Sequence, residues 1–338
     1  MSSIPTAGSM GERVDFFFNP ARKYTIIIFG FGLSEIRRLV TMYLIKKKRV
    51  LHQSIFLMDI VAPRVARYCE PGQFVIVRID ENGERIPLTV CDYDREEGTV
   101  TIVVQTIGAS TTRMMDLEEG MYLHDFVGPL GQPSELVTDD IEEVKKKKIL
   151  FVAGGLGTAP VYPQVKWLHE HGIDADVIVG AKNKDLVILE DEMKAVAGNL
   201  YITTDDGSYV RKGLVTEVIS DLVEKEGKKY DLCVSIGPMI MMKFCVLTTK
   251  KYDIPTIVSM NPIMVDGTGM CGACRLTVGD EVKFACIDGP EFDGFKVNFD
   301  EAMERMKLYR TEEGRAMLAL KEGDTHHGGC GNCDGGNK

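Results

Sequence analysis

Three cysteines stand close together in the stretch MVDGTGMCGACRLTVGDEVKFAC, at Cys271, Cys274 and Cys286, set among glycines. Thiolates crowded in this way read as ligands of a soft metal centre rather than as a disulfide framework. Plant-type [2Fe–2S] sites use Cys-x4-Cys-x2-Cys followed by a distant fourth cysteine. Counting four intervening residues back from Cys271 reaches Asp266, so the donor set reads Asp266-x4-Cys271-x2-Cys274-x11-Cys286. An aspartate is ionised at neutral pH and supplies the single negative charge a thiolate would, through a harder and less covalent oxygen. Gly267, Gly269 and Gly272 allow the backbone to wrap an inorganic core and aim N–H groups at its sulfurs. The competing reading is a structural zinc knuckle, but zinc ribbons pair two Cys-x-x-Cys units and this segment holds one.

A second kind of chemistry is written in ILFVAGGLGTAP, where Gly154, Gly155 and Gly157 lie between a hydrophobic strand and a helix. Glycine lets backbone N–H groups approach a pyrophosphate at a helix N-terminus, where the dipole favours negative charge. TTDDGS (Thr203 to Ser208) and SIGPMIMM (Ser235 to Met242) fall at the carboxyl ends of further predicted strands, the edge where open α/β sheets bind ligands. Met239, Met241 and Met242 read as core filling except for their place just after Gly237-Pro238. The tail sequence HHGGCGNCDGG offers His326, His327, Cys330 and Cys333 as a two-His, two-Cys site, but it lacks hydrophobic support and is expected to be disordered.

The elements that must position these groups divide the chain. Residues 1–41 are expected to be a poorly packed extension; TIIIFGFGLSE imitates a dinucleotide turn but has Glu35 where the third glycine belongs. Residues 42–145 carry SIFLMDIVAP, QFVIVRID, IPLTVCDYD and TVTIVVQTIG, alternating runs punctuated by turn residues, as in an antiparallel barrel or sandwich. Residues 146–259 alternate strand and helix and predict a parallel sheet with crossover helices. Residues 260–299 form the cysteine segment, and 300–338 a charged helix and a Gly-rich tail. The expected fold class is therefore α/β plus β, with an antiparallel β-barrel, a Rossmann-like parallel α/β domain and a small cluster subdomain.

Composition limits the function. With 50 acidic against 40 basic residues the chain carries a net charge of −10, which argues against a nucleic-acid surface. Nine cysteines are too few for a disulfide scaffold, and Cys69, Cys91, Cys233 and Cys245 are scattered among apolar residues as buried thiols would be. No apolar run reaches the roughly 18 residues that would span a bilayer, and no signal peptide is evident. A reducing, cytoplasmic setting is expected.

A barrel followed by GGLGTAP, GPMIMM and a cysteine cluster resembles the ferredoxin–NADP reductase superfamily. The cysteine segment and its trailing CIDGPEFDG are similar to the dihydroorotate dehydrogenase electron-transfer subunits. They are closer still to the small-subunit family of the electron-bifurcating NADH-dependent reduced ferredoxin:NADP oxidoreductases, which also has an Asp in the first ligand slot. The resemblance implies FAD, NAD(H) and a [2Fe–2S] cluster. It places RIPLTV at the flavin: Arg85 near the pyrophosphate but one residue farther away than in the parent pattern, Pro87 beside it, Leu88 in the stacking place and Thr89 near flavin N5. TIGAST would follow as the second flavin segment, with Thr106, Gly108, Ser110 and Thr111. Gly154, Gly155, Gly157, Thr158, Ala159 and Pro160 would hold the nicotinamide nucleotide's phosphates. Asp206, Gly207 and Ser208 would lie near its ribose, and Gly237, Pro238 and Met239 would line the nicotinamide slot. Lys182 and Lys184 leave NADP open.

The implied activity is hydride exchange between NAD(H) and FAD, with single electrons passing through the Asp266/Cys271/Cys274/Cys286 centre to a partner. No acid–base dyad or nucleophile is needed, because the cofactors carry the chemistry. The implied partner is a larger subunit containing flavin and [4Fe–4S], in a heterodimer or more, with ferredoxin reached indirectly and no membrane. A dihydroorotate dehydrogenase or sulfhydrogenase subunit is the nearest rival, and a nucleotide-binding module with structural zinc is the rival of another class.

Overall fold

A computed structural model describes residues 42–322 together with the strands 13–19 and 22–27. The first two strands, β1 (Arg13–Asn19) and β2 (Arg22–Ile27), pair antiparallel, with Arg13 opposite Ile27. The Gly30-x-Gly32 turn and the histidine- and cysteine-bearing tail lie outside the described residues.

Seven antiparallel strands follow: β3 (Tyr43–His52), β4 (Ile55–Val61), β5 (Phe74–Arg78), β6 (Ile86–Asp94), β7 (Thr99–Gln105), β8 (Tyr122–Leu123) and β9 (Asp125–Leu130). Their order in the sheet is β8-β3-β4-β7-β6-β5-β9. The two outermost strands are consecutive in the chain, parted by His124, whose N–H donates to the Arg78 carbonyl at 2.9 Å. The sheet therefore curls until its edges almost meet. Alternation explains the filling: Phe56, Met58 and Ile60 of β4 stand opposite Val104, Ile102 and Val100 of β7, and all six are buried. Each such side chain contributes roughly 1.5–3 kcal/mol by leaving water.

The second sheet takes β10 (Ile149–Gly154), β11 (Asp176–Ala181), β12 (Asn199–Thr204), β13 (Leu232–Ile236), β14 (Thr256–Ser259) and, later in the chain, β17 (Glu291–Asp293), in the order β12-β11-β10-β13-β14-β17. Its first five strands are parallel and β17 joins antiparallel to β14. The chain runs outward from β10 through β11 and β12, then returns to β13 on the other side. That reversal opens a crevice at the carboxyl ends of β10 and β13. Two elements add to the sequence expectation, β14 and the helix Met239–Lys250 before it. Met239, Met242, Val246 and Thr249 of this helix are buried at helical spacing, so the methionine cluster is mainly packing.

The cysteine segment contributes a hairpin of β15 (Arg275–Val278) and β16 (Glu281–Phe284). Its Leu276, Ala285, Cys274 and Cys286 share one apolar cluster with Phe74 and Ile76 of β5 and with Met239 and Met242. One core thus ties the barrel, the parallel sheet and the cysteine loop together. The charged C-terminal run is not one helix but two, Phe299–Arg305 and Arg310–Glu322. The break follows from i+3 hydrogen bonds at Lys307 and Leu308 that tighten the first helix's end, and from Tyr309 at φ 67°.

Candidate functional site

The loop from Val265 to Cys274 is built on turns that only glycine makes easily. Gly267 has φ +82°, and a Cβ there would lie 2.5 Å from Ile76 Cδ1, so the loop lies directly against the barrel. Asp266 Oδ2 accepts from the Thr268 N–H at 2.9 Å, from the Thr268 hydroxyl and from the Met270 N–H at 3.2 Å. These bonds, the Thr268 hydroxyl foremost, hold the carboxyl below the usual carboxylate range. All three fall on Oδ2 and leave Oδ1 outside that network.

The thiols form a pair and a single. Cys274 and Cys286 are buried with their sulfurs 3.2 Å apart, and neither is in a disulfide. Cys271 is exposed. Backbone N–H groups of Ala273 and Asp266 hold the Cys271 thiol below its ordinary value. Burial, then the hydrogen bond with Cys274, pushes Cys286 up to about 12. A metal would have to displace that proton, so loading releases protons and is pH-dependent. Among the described residues no three His, Cys, Asp or Glu side chains converge on a point that would hold one metal ion. Cys274 and Cys286 lie together, while Cys271 has the Asp266 N–H beside it, and the Asp266 carboxylate is the remaining anionic donor of the loop. Two donors per iron is what a two-iron centre takes, and one oxygen with three sulfurs, all anionic, fits it.

In the nucleotide sheet, Gly154 ends β10, Gly155–Gly157 form a 3-10 turn, and the helix Thr158–Glu170 begins at once. A Cβ on Gly157 would stand 2.1 Å from the Ile236 carbonyl oxygen. The two glycine turns therefore close on one another across the crevice, bringing Gly154–Pro160 beside Gly237–Met239. Thr158 is buried, and its hydroxyl donates to the Gly155 carbonyl at 2.9 Å. Asp206, Gly207 and Ser208 follow β12, with Ser208 donating to Asp206 Oδ1 and accepting from the Lys184 N–H at 2.8 Å. That hydrogen bonding lowers the Asp206 pKa. Lys184 stands over the Tyr209 ring, 5.2 Å from its centre.

At the expected flavin segments, Pro87, Leu88 and Thr89 pair with Ile76, Val75 and Phe74 across β5 and β6. Thr106 follows β7, and Gly108 precedes the helix Ala109–Met115. Thr111 Oγ1 accepts from the Ile107 and Gly108 N–H groups at 3.0 and 3.1 Å, and Ser110 donates to Glu84. Arg85 turns to the cysteine loop, where Nε donates to the Val265 carbonyl at 2.9 Å and Nη2 to the Asp266 carbonyl at 3.2 Å.

Three features escaped sequence reasoning. Arg305 Nη2 donates to the Ala273 carbonyl at 3.1 Å, while its buried Nε has no partner among the described residues. Gln132 ties the end of the barrel to the cysteine segment, with its N–H on the Gly289 carbonyl at 2.6 Å and its side chain on that of Ile287 at 2.8 Å. Gln164 Nε2 donates to Glu291 Oε1 at 2.6 Å, and Ser134 donates to Gln164, leaving Glu291 Oε2 enclosed and unpartnered. Only Gln164 left a signal: a polar residue at helical spacing with Val161, Val165 and Leu168. A separate cleft of about 520 Å³, lined by Glu70, Tyr93, Arg95, Trp167 and His171 among others, holds none of the expected cofactor residues.

The chain is similar to known proteins. The iron–sulfur cluster binding domain of dihydroorotate dehydrogenase B matches residues 261–298, a span that includes Asp266 and all three cysteines. The dihydroorotate dehydrogenase B (NAD(+)) electron transfer subunit homolog of Thermotoga maritima is 45% identical over 269 residues, covering 80% of this chain and 92% of that protein. The chain belongs to the family of dihydroorotate dehydrogenase B electron-transfer subunits and their homologues. The "Uncharacterized protein in adh 3'region" of Clostridium beijerinckii is 62% identical over 291 residues, covering 86% of this chain and 98% of the relative. A solved chain from work on flavin-based electron bifurcation by the NADH-dependent reduced ferredoxin-NADP oxidoreductase is 41% identical, with a TM-score of 0.75, covering 83% of this chain and 98% of that one. Membership makes this chain an electron-transfer subunit of a flavin and iron–sulfur oxidoreductase, with a larger partner subunit. The zinc alternative gives way to iron–sulfur binding. No helix among the described residues is long and apolar enough to cross a membrane.

Proposed function

We propose that this chain is the small subunit of an electron-bifurcating, NADH-dependent reduced ferredoxin:NADP oxidoreductase, working in the cytoplasm with a larger flavin and [4Fe–4S] subunit and reaching ferredoxin through it. The observation that carries this reading is Asp266, a carboxylate in the first slot of an otherwise cysteine-ligated loop, in a chain 41% identical to a component of such an enzyme over nearly all of that component's length.

When bound, FAD would exchange hydride with NAD(H) and give up its electrons singly to a [2Fe–2S] centre. The residues bind and orient. Gly154, Gly155, Gly157, Thr158, Ala159 and Pro160 offer backbone donors at a helix N-terminus for the nucleotide phosphates. Asp206, Gly207 and Ser208 face the ribose end, and Gly237, Pro238 and Met239 wall the crevice where the nicotinamide belongs. Pro87, Leu88 and Thr89 supply the flavin's ring face, and Thr106, Gly108, Ser110 and Thr111 the turn for its phosphates. Asp266, Cys271, Cys274 and Cys286 hold the iron.

The family name favours a second reading, delivery of electrons from dihydroorotate to NAD. Purification from native extract separates them: the partner's identity, metal and flavin content, and electron paramagnetic resonance after NADH reduction are read together. A [4Fe–4S] flavoprotein partner without dihydroorotate oxidation supports the first reading, and dihydroorotate-dependent NAD reduction supports the second. An NADH-reduced complex without a two-iron signal would sink both.

A further inference from the structure

The Val265–Cys274 loop is held from two directions by guanidinium groups. Arg85, just ahead of β6, spans the carbonyls of Val265 and Asp266 with two nitrogens at 2.9 and 3.2 Å. Arg305, at the end of the helix Phe299–Arg305, reaches the Ala273 carbonyl at 3.1 Å. The first grip fixes the peptide that carries the carboxylate donor. The second fixes the carbonyl of Ala273, in the turn between Cys271 and Cys274; the N–H of the same residue is directed at the Cys271 sulfur. Among the described residues, these are the two side chains from outside the loop that hydrogen-bond to its carbonyls.

Charge gives the pair a second role. Three thiolates and a carboxylate bring four negative charges to the centre, and each electron taken up adds another. The nearby Lys283 is engaged with Glu281 at 2.5 Å, and Asp288 accepts from the Phe284 N–H at 2.6 Å. Arg85 and Arg305 bring positive charge onto the loop itself, and Arg305 keeps a buried Nε–H without a partner.

We infer that Arg85 and Arg305 are positioning residues of the iron–sulfur centre: they clamp the two arms of its ligand loop and stabilise its reduced, more negative state. This rests on the iron–sulfur reading above and deepens it. Arg85 then serves the cluster rather than the flavin pyrophosphate.

The test uses the full-length holoprotein and the variants R85Q, R85K, R305Q and R305K. Electron paramagnetic resonance during redox titration gives the cluster's midpoint potential, and a chelator challenge gives its retention. FAD per chain is measured alongside. Both Gln variants should keep wild-type FAD, shift the midpoint to more negative potential and lose iron to the chelator roughly tenfold faster or more. The Lys variants, which retain the charge, should bring the midpoint back toward wild type, while R85K, unable to span two carbonyls, still loses iron faster. A midpoint unmoved by Gln, or not restored by Lys, overturns the inference. So does loss of FAD from R85Q with an unchanged cluster, which would assign Arg85 to the flavin. If R305Q fails to fold, the half-buried Arg85 decides the matter through its own pair of variants. A wild-type protein without any two-iron signal marks failure of the underlying reading, a result visible before any variant is made.

Discussion

Glu291 offers the sharpest test of the packing between the nucleotide sheet and the cluster segment. The residue as a whole is half-buried, but its Oε2 is fully enclosed, and burial pushes its pKa from the ordinary 4.5 to about 7. The Ser134 hydroxyl and then the Gln164 amide oppose the rise, and the charge of Glu135 adds to it. Below about pH 4.5, folded and unfolded chains both hold the proton and Glu291 does not bias folding. As pH rises toward about 7 the unfolded chain releases the proton while the folded chain keeps it, so stability falls. Above that the folded form ionises too and the loss levels off, at about 3 kcal/mol if no rearrangement relieves it. Glu291→Gln preserves an acceptor for Gln164 and removes the titration. The variant should be more stable than wild type by about 1–3 kcal/mol at pH 8, with the gap closing toward pH 5. Urea-unfolding midpoints of the holoprotein, followed by circular dichroism across that range, make the comparison. If the two proteins' midpoints run parallel with pH, the carboxyl is not held neutral and the reasoning is wrong.

Three further outcomes follow from the site. Asp266→Cys should retain two irons with altered visible and paramagnetic resonance spectra, whereas Asp266→Ala should lose iron; equal iron in both would remove Asp266 from the ligand set. In iron-free protein, mass spectrometry after brief alkylation should find Cys271 modified first and at lower pH than an ordinary thiol, because its pKa is lowered and it is exposed. Cys233 and Cys245, whose thiols burial raises, should remain unmodified while the chain is folded. Gly157→Ala forces a methyl to within 2.1 Å of the Ile236 carbonyl, so it should lower stability by about 1–3 kcal/mol and weaken NADH binding, read by calorimetry.

The sequence made legible what depends on local pattern. Alternation along β4 and β7, the strand–glycine–helix run at Gly154 and the Asp266-to-Cys286 spacing each carry their meaning within a few residues. The buried thiols Cys233 and Cys245 could be read in the same way, since each has apolar neighbours in the chain, whereas Cys69, between Tyr68 and Glu70, is buried without such a local signal. Contacts that join distant segments could not be. Arg85 and Val265 are 180 positions apart. Glu291 meets Gln164 across 127 positions, and nothing in the chemistry of either residue alone announces the other. The C-terminal break was hidden because Met306–Tyr309 has ordinary helix-compatible composition; the tightened turn at Lys307 and Leu308 and the left-handed Tyr309 end the run.

Because β17 comes from beyond the cysteines and yet lies along β14, the cluster segment supplies the outer rail of the nucleotide sheet. A chain cut after Ser259 would leave β14 with a bare hydrogen-bonding edge, a template for joining another copy. A version shortened at that point should be recovered as aggregates.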